Sequence, residues 1–154
     1  MLSRVHPITR GPAIEEAIDG AARRYQERAQ QEDLSRAREY LEREGIRLVR
    51  SDQGWSRRMR EAVMTWILEA SEEGSSDAEF HLAASMWKGH GICHDTSLAC
   101  AFYARAAEKQ HLLAQYNLGV CYLLGRGTDP KDAEAARMFM GAAQGGVKQA
   151  QYAI

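Results

Sequence analysis

His90, Cys93, His94 and Asp95 crowd into one short stretch, and their imidazole, thiol and carboxyl groups are donor types that suit zinc. A tetrahedral site would need a further ligand, for which Cys100 or His81 is available. Cys93 beside His94 also has the composition of a thiol nucleophile and its base. Adjacent residues seldom point together, however, and no third group to orient the imidazole stands out. Gly125-Arg126-Gly127 could be taken for a phosphate-binding loop, but the Lys-Ser/Thr that would grip phosphate does not follow it, and it has a twin at Gly89-His90-Gly91. The chain is therefore read as non-enzymatic, without catalytic residue, cofactor or metal. The alternative is a metal- or thiol-dependent enzyme built on the loop from His90 to Cys100.

Charge selects no ligand. Twenty basic residues face twenty-one acidic ones, a formal net charge of −1, so no long-range field draws in nucleic acid or an anionic membrane. The arginines at 23, 24, 28, 36, 38, 43, 47, 50, 57, 58 and 60 are interleaved by glutamates at 27, 32, 39, 42, 44 and 61. Spacings such as Glu39 to Arg43 suit ion pairs along a solvated helix face. The longest apolar run, Ala62 to Leu68, is broken by Thr65 and is too short to cross a bilayer. Residues 1–12, with Pro7, Gly11 and Pro12, read as a disordered tail. Arg4 and Arg10, with no acid before Glu15, faintly suggest a transit peptide. Three cysteines, Cys93, Cys100 and Cys121, have no paired spacing and read as reduced structural thiols, which points to the cytoplasm.

The elements that would carry these residues emerge from self-similarity. Ala78, Ala114 and Ala150 stand at a constant step of 36. The same step aligns Phe80, Tyr116 and Tyr152; Leu82, Leu118 and Ile154; Gly89 with Gly125; Gly91 with Gly127; Ala99 with Ala135; Tyr103 with Phe139; and Ala106-Ala107 with Ala142-Ala143. Each unit reads as two helices. In the first, a helix over 77–88 meets the Gly-x-Gly turn and a second helix runs over 96–109. In the second, the helices span 114–124 and 130–144, with Asp129 as N-cap and Pro130 at the first helical position. Gly119, Ala135, Ala142 and Ala143 are small where two antiparallel helices must approach closely. The zinc-like loop has no counterpart in the second unit, and its length is set by the repeat.

Residues 13–74 form a different helical region. Helices are expected over 13–31, with Ile14, Ile18, Ala21, Tyr25 and Ala29 on one face, and over 33–44, with Leu34, Ala37 and Leu41. The stretch 46–54 is a connector with room for a short extended segment. Trp55, Met59, Ala62, Val63, Trp66, Ile67 and Ala70 make an apolar stripe, expected to pack on the first unit as a degenerate repeat helix or cap. The division is thus a tail (1–12), a helical capping region (13–74) and repeats (75–154, as 78–113, 114–149 and a partial 150–154). The stub from Val147 would cover the second unit with Tyr152 and Ile154.

The string Ala114-Gln115-Tyr116-Asn117-Leu118-Gly119-Val120-Cys121-Tyr122, then Gly125-Arg126-Gly127, Ala135, Phe139, Ala142-Ala143 and Ala150, resembles the Sel-one-like repeat, a relative of the tetratricopeptide repeat. The first unit departs from it at His81, Ala83 and Met86, where Asn, Gly and Tyr are expected, and at Gln110 in place of a glycine. The resemblance implies an all-α fold, a right-handed α-α solenoid of helix pairs with an N-terminal helical cap. It also implies scaffolding of protein complexes without chemistry, in bacteria often in signalling, envelope, secretion or chaperone-like roles. In such solenoids the first helix of each pair lines the concave surface. Register then places Phe80, Ala84 and Trp87 beside Tyr116, Asn117, Val120 and Leu123 as partner-binding residues for a peptide, helix or subunit. Trp87 breaks the repeat pattern and is the preferred contact. The apolar stripe from Ile14 to Leu41 is narrow for a core helix and the array exposes an end, so a homodimer is a further expectation.

Overall fold

The computed structural model describes residues 5–8, 12–31 and 34–153, and among these every regular element is a helix, with no β-strand. The helices are α1 (Pro12–Ala29), α2 (Ser35–Glu44), α3 (Arg57–Glu73), α4 (Ser76–Lys88), α5 (Thr96–Glu108), α6 (Leu112–Leu124), α7 (Asp132–Gln144) and α8 (Lys148–Ala153). The repeat is written into the boundaries: α4 and α6 start and stop 36 residues apart, and so do α5 and α7.

Two kinds of small residue set the packing within and between pairs. At Gly119 an added Cβ would lie 2.9 Å from the Phe139 ring and 3.3 Å from the Ala135 carbonyl oxygen, so α6 and α7 touch through a glycine. Ala83 fills the same place in the first pair and is fully buried. The turns do the second job. Gly91 and Gly127 both adopt left-handed backbone, with φ of 77° and 79°. A Cβ at Gly91 would sit 2.8 Å from the Trp55 ring and 2.9 Å from Val63, beside α3; one at Gly127 would strike the Thr96 carbonyl group and stand 2.7 Å from Cys100 Sγ, on α5. Each turn thus presses on the preceding helix, and α3 stands to the α4–α5 pair as α5 stands to α6–α7.

Caps follow side-chain chemistry where repeat geometry allows. Ser56, Ser75 and Asp95 accept hydrogen bonds from the backbone N–H groups of Met59, Ala78 and Leu98 at 3.2, 3.3 and 2.9 Å. The Asp129–Pro130 start expected for α7 is not used: the helix begins at Asp132, with Lys131 at its cap and no side-chain capping bond. The reason is a backbone bond shared by both units. Asp95 N–H donates to the Met86 carbonyl at 3.1 Å and Lys131 N–H to the Tyr122 carbonyl at 3.0 Å, holding both chains in the turn until the same phase. Pro130 then packs on Gly125, whose Cβ would be 3.1 Å from its Cδ. Gln110 takes the left-handed conformation (φ 65°) at the position where its repeat partner is Gly146 (φ 99°).

The N-terminal region wraps the first pair. Thr65 Oγ1 donates to the Ala21 carbonyl at 2.6 Å, and Arg24–Glu69 and Arg28–Glu72 pair at 2.9 and 3.6 Å, so α1 runs alongside α3 in the same direction. In α2 the buried residues are Ala37 and Tyr40. The expected Glu39–Arg43 pair gives way to Arg43–Glu44 at 3.7 Å, with the Arg43 guanidinium over the Tyr40 ring. Arg105 reaches from α5 to Glu44 at 2.7 Å. The connector does hold a short extended piece: Leu48 and Ile92 form an isolated antiparallel bridge, flanked by Val49 N–H to Gly91 O (3.2 Å) and Cys93 N–H to Arg47 O (2.7 Å). At the other end Val147 and Ala150 are buried, but Tyr152, expected to cover the second unit, is 85% exposed; Ile154 lies outside the described residues.

Candidate partner-binding face

Equivalent positions on α4 and α6 behave alike in backbone and differently in company. Phe80 is buried between the His111 ring, stacked at 4.8 Å, and Tyr103 at 6.0 Å. Its neighbour His81 stacks on Trp66 at 4.6 Å. His81 shares a small recess with Ile14 and Ile18 of α1 and with Met59, Ala84 and Ser85. Burial there pulls its imidazole down to about 4, a neutral ring at ordinary pH. The helix α1 therefore already covers the α4 stretch around His81 and Ala84.

On α6 the cover is residues 5–8, a segment outside any helix. Asn117, fully buried, uses both ends of its carboxamide on one residue: Ile8 N–H donates to Oδ1 at 2.9 Å and Nδ2 donates to the Ile8 carbonyl at 3.2 Å. The Tyr116 hydroxyl donates to the His6 carbonyl at 3.0 Å, and burial raises its phenol above the usual range. Val5 is buried with Tyr116, Val120, Ala135, Phe139, Ala142, Val147 and Ala150, and Ile8 packs half-buried against the same cluster. Residues 5–8 belong to the stretch read from sequence as a tail, and here they sit on α6.

The seven residues chosen from register thus fall into three settings. Phe80, Ala84 and Trp87 are buried in the first pair, Trp87 between Tyr103 (6.5 Å) and the Arg126 guanidinium 4.9 Å from its ring. Tyr116, Asn117 and Val120 are buried together under residues 5–8. Leu123, half-buried, opens onto a cleft of about 250 Å³ with Ala135, Phe139 and Met140. Sequence reasoning did not find Val5, His6 or Ile8, and it read Ile14 and Ile18 as one face of a helix without relating them to α4. The available signal was a branched apolar pair around Pro7, a residue that imposes extended backbone on its neighbour.

The other candidates have structural employment. Asp95 caps α5, Cys93 Sγ donates to the Leu48 carbonyl at 3.7 Å, and Cys100 Sγ donates to the Arg126 carbonyl at 3.1 Å. A hydrogen bond with Cys100, and then burial, push the Cys121 thiol far above its ordinary range. Among the described residues no group of three or more His, Cys, Asp or Glu side chains is placed to hold a metal ion. Among them also, no helix is long and apolar enough to cross a membrane. Several arginines meet acids on neighbouring helices: Arg24, Arg28, Arg58 (with Asp19) and Arg105.

Comparison with known proteins agrees with this architecture. The family model described as "Sel1 repeat" matches residues 21–43, 76–111 and 112–143, together more than half of the chain. The chain is similar to the crystal structure of a Sel1 repeat protein from Oxalobacter formigenes, with 33% identity and a TM-score of 0.55 over 59% of this chain and 37% of that one. It is also similar to c5321, a protective antigen present in uropathogenic Escherichia coli strains displaying an SLR fold, with 29% identity and a TM-score of 0.61 over 84% of this chain and 27% of that one. The chain spans well under half the length of both. No curated protein gives a significant match.

Proposed function

Because this chain belongs to the Sel1 repeat family, whose members generally mediate protein–protein interactions, we propose that it is a non-catalytic adaptor holding an extended segment of a partner protein on α6. The carrying observation is the Asn117 carboxamide, whose acceptor and donor engage the N–H and C=O of a single residue. A neutral amide used this way recognises backbone in extended form without reading its side chain, and Tyr116 adds a second main-chain contact two residues away. Val120, with Tyr116 and Phe139, supplies the apolar floor, and Leu123 extends it toward the cleft beside Met140. Phe80, Ala84 and Trp87 are buried in the first pair and are not part of that floor. The three free cysteines suit a reducing compartment such as the cytoplasm.

The test is recovery of partners from native lysate by the full chain and by Asn117→Ala, with cross-linking to map the contact. Loss of recovery by Asn117→Ala, in a variant that melts lower than wild type but is still folded at the assay temperature, is the expected result. Full recovery by the variant, or cross-links confined to α2, α5 and α7, would remove the α6 face from the function.

A further inference from the structure

We propose that residues Val5–Ile8 are a resident, displaceable ligand of the α6 face, and that the partner displacing them is an extended peptide with a branched aliphatic residue three positions before the one Asn117 clamps. This rests on the adaptor reading above and specifies both its ligand and its regulation.

Three observations carry it. The first is that the segment is held as a ligand is held. Its hydrogen bonds to α6 come from its main chain, Ile8 N–H and C=O on Asn117 and His6 C=O on Tyr116, with sequence separations of 109 and 110 residues. No helix or sheet ladder of its own accounts for residues 5–8. The second is selectivity. Val5 is the one residue of the four that is buried; Pro7 and Ile8 are half-buried and His6 is exposed. The face therefore buries a branched aliphatic group at one position, with Ile8 packed half-buried on the same cluster, and holds the main chain between them. Pro7 removes an N–H that Asn117 and Tyr116 do not use and holds the chain extended ahead of the clamp. The third is economy of contact. Four residues, of which only Val5 is fully buried, make a small attachment, much smaller than a stable protein interface. Such an attachment competes through its tethered, millimolar-range effective concentration and not through intrinsic affinity. A partner peptide with the same features and further contacts toward Leu123 and Met140 would replace it.

Asn117 has His81 as its repeat partner, where α1 lies over the face instead. The displaceable position is accordingly on the second pair alone.

The test uses the full chain and, as probe, a fluorescent peptide with the sequence of residues 3–10. Anisotropy titrations compare wild type with Val5→Asp, which weakens the tethered segment and leaves every residue of α6 in place. The probe is expected to bind Val5→Asp at least about tenfold more tightly than wild type. Adding Asn117→Ala should weaken it again by at least about tenfold, with the melting temperature of both variants confirming folding. Amide exchange gives the second readout: the Ile8 N–H should be protected in wild type and unprotected in Asn117→Ala. Equal probe affinity for wild type and Val5→Asp, still lost with Asn117→Ala, would overturn the resident ligand and leave the adaptor reading standing. An unprotected Ile8 amide in wild type would overturn it too. A protected Ile8 with no probe binding to Val5→Asp would make the segment a fixed part of the fold and would count against both readings.

Discussion

Gly127→Ala should be among the most damaging single-methyl additions in this chain, and its cost can be divided by experiment. Two effects act at once. At φ 79° an L-residue pays roughly 1–2 kcal/mol for left-handed backbone. The new methyl group would also collide with the Thr96 carbonyl and lie 2.6 Å from its carbon and 2.7 Å from Cys100 Sγ. Backbone at the first turn of α5 cannot rotate away as a side-chain tip would, so the turn has to lift off α5, at an overpacking cost of about 1–3 kcal/mol. The sum is about 2–5 kcal/mol, or a fall in melting temperature of roughly 4–20 °C at about 2–4 °C per kcal/mol for a chain of this size. Gly45→Ala isolates the first effect, because Gly45 has nearly the same φ, 71°, with nothing within 4 Å of the added methyl. Both substitutions restrict the unfolded chain equally, so that contribution cancels between them. Urea unfolding followed by circular dichroism should show Gly127→Ala losing at least about 1 kcal/mol more than Gly45→Ala. Indistinguishable losses would refute the claim that this turn bears directly on α5 and so joins the two pairs.

Other expectations follow from buried polar groups. His81 is neutral when folded, with its imidazole at about 4 against 6.5 for an ordinary histidine, so protons bind the unfolded chain more readily. The stability it confers is intact above pH of about 6.5 and declines as pH falls toward 4, by up to about 3 kcal/mol; His81→Asn should flatten that part of a stability–pH curve, and an unchanged slope would contradict the assignment. Thr65→Val removes the hydroxyl that donates to the Ala21 carbonyl from inside the α1–α3 contact, and should cost about 1 kcal/mol while speeding amide exchange in α1 more than in α6. Alkylation of the native protein should modify half-buried Cys93 first and leave buried Cys100 and Cys121 until denaturation. Mass spectrometry of the native protein showing Cys121 modified as fast as Cys93 would contradict the burial of that thiol.

The all-helical repeat was legible because its determinants are local or periodic. A 36-residue step in alanine, aromatic and glycine positions repeats the same backbone needs, and those needs set where α4 to α7 begin and end to within about three residues. Gly119 could be read as a close approach for the same reason: its neighbours Ala135 and Phe139 recur in phase as Ala99 and Tyr103. Where local chemistry and the repeat disagreed, the repeat won. Pro130 had every local feature of a helix start, yet the Lys131 N–H bond to Tyr122, copied from Asp95 and Met86, delayed α7.

The candidate site was legible only as half of an interface. Register picked out Tyr116, Asn117 and Val120, because neighbouring helices of a periodic array must present equivalent residues to the same side. Nothing in the sequence relates Ile8 to Asn117 across a separation of 109 residues, since a hydrogen bond between a backbone and a distant amide leaves no periodicity and demands no particular side chain at the bonded position. The direction of α1 along α3 was invisible on the same ground: an apolar stripe states that a helix must be covered, and leaves the choice of neighbour to the tertiary fold. Sequence determined which surfaces had to be buried. Only the folded chain decided that α1 and residues 5–8 would bury them, because that choice depends on where the ends of distant elements come to lie in space.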